Sequence, residues 1–451
     1  MQRILFARVE IWLLLVLAVV ATLGLIAFGG IVLDEANGGN RYGAVGATAL
    51  KVAEVPGTVV HLLKDGDAMV VPLKNRFNDE TGWRFADGKQ GTGVPGYWLL
   101  SRHIAAERRM VTEMVRLSDG QVVHTWAPDA DTLLATAGPA KRAGSTANWT
   151  NAKFRIFHPF LMENGDLILK DGGTPLLRVD ACANPVWMLQ DTLFHHSTES
   201  DGKGGFWIPS IIEPSKIPFV AETFLDDGLA HVSADGKLLE QISASEILMR
   251  HDMQSIVFPP FVQNDDPLHL NDIQPVLTDG PYWKAGDLFL SLRHPSIVML
   301  YRPATDQIIW MKQGPWMAQH DVDILDDHRI AIFDNRTFYR ASYGRPDGTS
   351  DIVVYDFSTD TVTHPYQAAL EREKVAALFE GLYTILPGGD YIVEDQNTGR
   401  LLIFAADGKK LGQFINRNPD GQVYQIGWGR FVDQQYGDAV LTSLGTPDCT
   451  L

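Results

Sequence analysis

From Tyr97 onward the chain alternates short apolar runs with polar turns. Tyr97 to Arg102, Met110 to Leu117 and Gln121 to Trp126 form one phrase, with Ser118-Asp119-Gly120 as the turn before its last run. The phrase recurs as Gly165 to Leu169, Pro175 to Val179 and Pro185 to Leu189, and again as Gly286 to Leu292, Ile297 to Arg302 and Gln307 to Met311. It returns as Ser350 to Phe357 and Thr361 to His364, then as Asp390 to Glu394, Arg400 to Phe404 and Lys410 to Phe414. Runs this short, punctuated by Gly, Pro, Asp and Ser, predict strands. A unit recurring at roughly forty to seventy residues predicts blades that stack around an axis, because none buries its own faces alone. The expected fold is all-β, a six-bladed β-propeller with an N-terminal transmembrane helix. A pair of β-sandwiches needs no recurring unit and fits less well. The first phrase lacks an innermost strand, and Trp428 to Ser443 is placed to supply it and close the ring. One clear helix is expected, over Ala368 to Glu380.

The N-terminal pattern is of another kind. Ile11 to Leu33 is almost uninterruptedly apolar, and roughly twenty such residues cross a bilayer. Arg3 and Arg8 precede the run and Asp34 and Glu35 follow it, which places the body outside the cytoplasm. A cleaved signal peptide is the rival reading, but its apolar core would usually be shorter, and no clean A-x-A site closes this run. The expected organisation is a cytoplasmic N-terminus at 1–10, an anchor at 11–33, a linker and short β segment at 34–96, and the propeller at 97–451. Within 34–96, VPGTVVHLLKDG and AMVVPLKNRF read as short strands. The protein is thus a single-pass membrane protein with its body in the periplasm or extracellular space.

Composition narrows the partners. The 451 residues carry a net charge of −17 and no cluster of Lys and Arg, which excludes a nucleic-acid ligand. An anionic substrate needs a local positive site set against that field. The two cysteines, Cys182 and Cys449, form neither a disulfide framework nor a zinc pattern. They are either a single disulfide or two structural thiols.

The chemistry gathers between His269 and Arg336. His158, His196, His269 and His320 each precede or open what the phrasing makes a blade's innermost strand. Such starts ring one end of a propeller's channel, so the four histidines converge there; Tyr383 and Trp428 fall near the same phase. Any one of them read alone is a structural histidine bonded to nearby backbone. Converging imidazoles also suit a metal, but Arg293 beside them repels a cation and suits an oxyanion. Trp207, Trp283, Trp316 and Tyr339 are candidates for an aromatic wall against a ring substrate.

HLND at His269, SLRH ending at His294, and QHD around His320 ahead of a strand ending in FDN resemble the motifs of the bacterial arylsulfate sulfotransferases. The resemblance covers about His195 to Asn335. It implies a six-bladed propeller that moves a sulfuryl group between phenols without a nucleotide donor, without cofactor or metal. It implies that His320 is the nucleophile and forms a sulfohistidine, and that His269, Arg293 and His196 hold the sulfuryl oxygens. It places His195, Asn271, His294 and Asn335 among the substrate-binding and supporting groups. The partners implied are a small aryl sulfate and a hydroxyl acceptor. This sequence departs from the better-known members in two ways: only the 34–96 stretch stands where they carry a β-sandwich used in pairing subunits, and no cysteine pair precedes Gln319-His320. The alternative from another class is a non-catalytic exported propeller that binds a sulfated or anionic ligand in its His/Arg ring. A metal-dependent propeller lyase or hydrolase is a third.

Overall fold

The structure, a computed structural model, describes residues 10–36, 41–46, 48–53, 77, 80–86, 89–137, 149–221, 223–260, 264–340, 343–445 and 449. It divides into two compact units, Met1–Ala68 and Met69–Leu451. The strands expected at 55–66 and 68–76 lie outside the described residues.

In the first unit Ile11–Ala36 is a single helix. Its stretch Ile11–Asp34 is long and apolar enough to cross a membrane, and none of it is buried against protein. A signal sequence has the same length and composition.

The second unit is all-β and propeller-like. A first sheet orders Arg430–Val432, Tyr97–Ile104, Arg109–Arg116 and Gln121–Trp126 from inside outward. A second, eight-stranded sheet runs from Phe160–Leu161 through Leu167–Leu169, Thr174–Val179 and Pro185–Phe194 to Phe206–Ile212, Asp226–Val232 and Leu238–Ser243, with Glu199–Ser200 beside Phe206–Ile212. As strands, its two halves pair where Leu193 and Phe194 meet Ile211 and Ser210. The third sheet holds Leu270–Pro275, Leu288–Leu292, Ile297–Arg302 and Gln307–Gln313, and the fourth His320–Ile324, Arg329–Asp334, Asp351–Asp356 and Thr361–Thr363. The fifth holds Leu382–Ile385, Tyr391–Asp395, Arg400–Phe404 and Lys410–Ile415, with Gly82–Phe85 added at its outer edge.

Middle strands such as Leu288–Leu292 and Ile297–Arg302 are buried on both faces, while outer ones such as Leu238–Ser243 are half exposed. That difference is why the former read as continuous apolar runs and the latter as mixed ones. The burial is between neighbours. Met114 and Trp126 of the first sheet pack on Leu167 and Leu177 of the second, and Leu176 packs on Ile208 and Ala230 within the second. Leu229 meets Leu290 of the third, Val298 meets Ile332 of the fourth, and Phe333 meets Tyr391 of the fifth. Ile403 of the fifth returns to Trp98 of the first. Each fully buried Leu, Ile or Phe contributes about 1.5–3 kcal/mol to these contacts.

Three expectations differ in detail. The closing strand is Arg430–Val432 alone, paired with Tyr97–Leu99, and Gln434–Leu444 is a helix capped by the Asp433 carboxylate. The helix expected to reach Glu380 is Gln367–Glu373, ended by Lys374 in the left-handed conformation. Within the stretch expected to be linker and short β segment, Gly82–Phe85 is a strand of the fifth sheet.

Carboxyl groups join neighbouring sheets near the inner strands. Asp272 accepts from the Val322 N–H at 2.8 Å, Asp321 from the Tyr383 N–H at 3.0 Å, and Asp227 from the Leu270 N–H at 3.0 Å. Burial first, then the nearby Glu199, pushes Asp272 up to about 8. An aspartate in the unfolded chain titrates near 4, so ionising Asp272 costs the folded state stability as pH rises from about 4 through about 8. Asp272→Asn keeps an oxygen for Val322 but has no proton to lose. Its stability relative to the wild type, from urea melts, is expected to improve steadily between pH 5 and 8; parallel pH curves for the two proteins would contradict this.

Cys182 and Cys449 form a disulfide that spans 267 residues of sequence. Thiol titration of the unfolded, unreduced protein should find no free thiol, and two after reduction. A bridge over so long a loop stabilises by about 2–4 kcal/mol, so Cys449→Ser should melt measurably lower by calorimetry.

Candidate active site

Starts of inner strands carry the histidines. His158, His196 and His269 all have positive φ (44°, 54° and 51°), a conformation uncommon for non-glycine residues and worth about 1–3 kcal/mol of strain. The surroundings hold these turns in place. The buried Lys170 ammonium donates to the His196 carbonyl at 2.6 Å and to Thr198 Oγ1 at 2.7 Å. The His269 carbonyl accepts from the Arg293 N–H at 3.1 Å.

These turns face a cavity of roughly 280 Å³ lined by His195, His196, His269, Arg293 and His320. The His196 ring stands 5.1 Å from His269 and 6.0 Å from His320, centroid to centroid. Trp428 packs edge-on against His320, His196 and His158 at 5.8, 6.0 and 5.6 Å. The structure therefore brings both histidines of the 195–196 pair to the cavity. His158 stands apart from that wall, with Nδ1 taking the Thr198 N–H at 3.3 Å and lying 3.2 Å from Glu199 Oε1.

His320 is 1% exposed, and its protonation follows from its neighbours. Asn335 gives its amide N–H groups to the carbonyls of Ala377 (3.0 Å) and Glu380 (2.6 Å). That leaves Asn335 Oδ1 facing His320 Nδ1 at 2.7 Å, so Nδ1 carries the proton. Nε2 then holds the lone pair, and the Glu380 N–H donates to it at 3.2 Å. Burial, then the Arg293 charge, holds the ring's pKa well below the ordinary histidine value. The result is a neutral imidazole with Nε2 as its nucleophilic atom.

The other imidazoles are oriented too. Asp266 lies 2.6 Å from His269 Nδ1, fixing Nδ1–H as a donor. His195 Nε2 meets the Ser210 carbonyl at 3.3 Å, and its Nδ1 meets His196 Nδ1 at 2.8 Å. One of the two Nδ1 atoms donates to the other, which couples the orientation of the two rings.

Asn271, His294 and Asn335 stand behind this wall. Asn271 is buried and gives Nδ2–H to the Gln319 carbonyl at 2.8 Å, bracing the residue before His320. The His294 ring lies 4.6 Å from that of His269 and shares Asp266 with it. Asp266, His269 and His294 place ligand-type atoms within 4.8 Å of one another; hydrogen bonds among the three account for that proximity. Trp283 and Trp316 pack between the third and fourth sheets, and Trp207 stacks on His231, so these three serve sheet packing. The side chain of Tyr339 is outside the described residues.

Five cavity residues escaped the sequence reading: Arg155, Phe157, Gly172, Phe379 and Glu380. Arg155 and Phe157 lie just ahead of His158, and their nearness to a phased histidine was the available signal. Phe379 and Glu380 were absorbed into the helix expected to end at Glu380. Arg293 brings positive charge to the cavity of an acidic protein, suited to an oxyanion, while Arg155 is paired with Glu380 and Asp171.

The family model described as arylsulfotransferase (ASST) matches residues 158–417, a wider span than the motifs alone suggested. No curated protein matches. Among solved structures, the chain is similar to a protein of unknown function from Bacteroides caccae at 9% identity, covering 75% of this chain and 99% of that one, with a TM-score of 0.47. It is similar to TolB from Acinetobacter baumannii at 8% identity, 75% and 66% coverage and a TM-score of 0.42. The Cps50 (Swd1) beta-propeller domain from Myceliophteria thermophila matches at 8% identity, 70% and 85% coverage and a TM-score of 0.36.

A neutral, Nδ1-protonated His320 has a direct signature. Its imidazole ¹⁵N resonances should keep that tautomer's pattern as pH falls from 8 to 6, because burial and Arg293 hold its pKa well below the ordinary histidine value. An ordinary titration centred near pH 6.5 would contradict the burial argument.

Proposed function

The chain belongs to the arylsulfotransferase family, whose model covers more than half its length, and on that premise we propose that it moves a sulfuryl group from an aryl sulfate donor to a phenolic or other hydroxyl acceptor through a sulfohistidine on His320. The observation that carries this reading is the His320 geometry: a buried imidazole with its proton held at Nδ1 by Asn335, its Nε2 unprotonated beside the Glu380 N–H, and its ring on a cavity shared with Arg293.

In the first half-reaction the Nε2 lone pair attacks sulfur and the aryl oxide leaves. In the second an acceptor hydroxyl attacks the sulfohistidine and His320 returns neutral. Splitting the transfer in this way predicts ping-pong kinetics. Arg293, His269 and His196 hold the sulfuryl oxygens, where charge concentrates, and His195 backs His196 through their shared hydrogen bond. Asn271, His294 and Asn335 act as supports by holding Gln319, His269 and His320. Phe157 and Phe379 at the cavity are the aromatic groups available to an aryl ring.

The scaffold in this reading has six blades, the eight-stranded sheet counting as two four-stranded ones. Support comes from its narrow two-residue joint and from the apolar clusters between successive sheets. The apolar N-terminal helix serves as an uncleaved anchor with the body outside the cytoplasm. The Cys182–Cys449 disulfide supports an oxidising compartment.

Incubation of the detergent-solubilised protein with an aryl sulfate and no acceptor should add one SO₃, about 80 Da, to the His320 peptide by mass spectrometry, with stoichiometric phenol release. His320→Ala should show neither, and Arg293→Ala should slow phenol release by about 10²–10³. No adduct with several donors would turn the reading toward a propeller that binds a sulfated ligand without reacting.

A further inference from the structure

The sulfohistidine scheme leaves a proton unassigned. An aryl oxide leaving sulfur needs one, and a phenol attacking the sulfohistidine must lose one. Arginine cannot exchange protons near neutrality, and His320 spends its lone pair on sulfur. Glu380 is the carboxyl on the cavity wall that the scheme does not use.

Its backbone is fixed against the nucleophile on both sides. The Glu380 N–H donates to His320 Nε2, and the Glu380 carbonyl accepts from the same Asn335 that orients His320 Nδ1. Glu380 holds a positive φ of 61°, and the next residue, Gly381, has φ of 97° and no room for a Cβ against the Phe333 ring. The side chain is 7% exposed. Oε1 lies 3.4 Å from Arg155 Nη1, and Oε2 is buried without a hydrogen bond of normal length. The Glu380 backbone is thus bonded to His320 Nε2 while its carboxyl lines the same cavity, where an atom leaves or attacks.

We propose that Glu380 is the general acid and base of both half-reactions, an assignment that rests on the sulfohistidine reading. As the Nε2–S bond forms, the S–O bond to the aryl group breaks and its electron pair stays on oxygen. The Glu380 carboxyl passes its proton to that oxygen, giving a neutral phenol and a carboxylate. In the second half the carboxylate takes the acceptor's hydroxyl proton as that oxygen bonds to sulfur, the S–N pair returns to Nε2, and Glu380 is a carboxylic acid again. No other reactant is needed. Arg155, Asp171, Arg293 and Glu394 are the charged groups that act on this carboxyl. Burial raises its pKa above that of an ordinary glutamate and Asp171 adds to the rise, while Arg155, Arg293 and the Gln396 side chain oppose it.

The test compares Glu380→Gln with wild type, in the full chain, on donors whose phenols differ in acidity. 4-Nitrophenyl sulfate has a leaving group that departs unaided; 4-methylphenyl sulfate does not. With the first, Glu380→Gln should still label His320 and release phenol within about tenfold of wild type; with the second it should lose about 10²–10⁴. Glu380→Asp should recover part of the lost rate. A fall of equal size with both donors would mean that Glu380 only holds Arg155 and the His320 loop, and no fall with either would mean it is idle; each overturns the assignment while the adduct on His320 upholds the parent reading. No adduct in the wild type overturns both. Should Glu380→Gln fail to fold, the wild type alone decides: rates across a phenol series should depend weakly on leaving-group acidity below the Glu380 pKa and strongly above it, and an unchanged slope overturns the assignment.

Discussion

An innermost strand pairs with a neighbour on one side only, and its other edge has N–H groups that face protein instead of water. Leaving such groups unpaired costs about as much as losing a hydrogen bond each. Here carboxyl oxygens from adjoining sheets take them: Asp227 for Leu270, Asp272 for Val322 and Asp321 for Tyr383. These contacts set how the inner strands sit against one another. They flank the two histidines, since Leu270 follows His269 and Asp321 follows His320. The distance between catalytic candidates from different sheets thus depends on backbone-to-carboxyl bonds that no substrate touches.

The cost of that arrangement is electrostatic. Burial raises Asp272, Asp321 and Asp323; Glu199 adds to the rise of Asp272 and Asp323, and Asp323 and Asp272 add to that of Asp321. Among the imidazoles, burial and Arg293 lower His320, and burial and Arg430 lower His158. Acids that resist losing protons and imidazoles that resist gaining them leave the inner ring nearly neutral. In a chain of net charge −17, that neutrality limits the negative charge set against Arg293 at the cavity.

Most of the sheets were legible because middle strands, sandwiched between neighbours, read as dense apolar runs: Ile297–Arg302 and Arg400–Phe404 coincide with the expected limits. The quartet containing Phe206–Ile212, Asp226–Val232 and Leu238–Ser243 was not picked out. A loop at 213–225, with a cis Glu213–Pro214 bond, interrupts its rhythm, and its outer strand is largely polar. Past Glu373 the helical pattern runs on in composition, with Val375, Ala376, Ala377 and Leu378, but Lys374 turns left-handed and these residues pack into the core between the fourth and fifth sheets or lead to the cavity. Tertiary contact overrode local propensity there. Of the site, the histidines and Arg293 were visible because polar residues at strand starts stand out against apolar runs. Arg155 and Glu380 were not, since a lone charge in a loop has many solvent-facing counterparts.

The chain ends matter for timing. Gly82–Phe85 is paired with Lys410–Ile415, and Tyr97–Leu99 with Arg430–Val432. A polypeptide emerges N-terminus first, so its earliest strands wait for partners made more than three hundred residues later. Until residue 432 appears, the edge of Tyr97–Ile104 has no mate, and an open apolar edge invites pairing with other chains. Every nascent copy therefore passes through a period, set by the speed of synthesis, in which its first sheet is incomplete and in need of shelter.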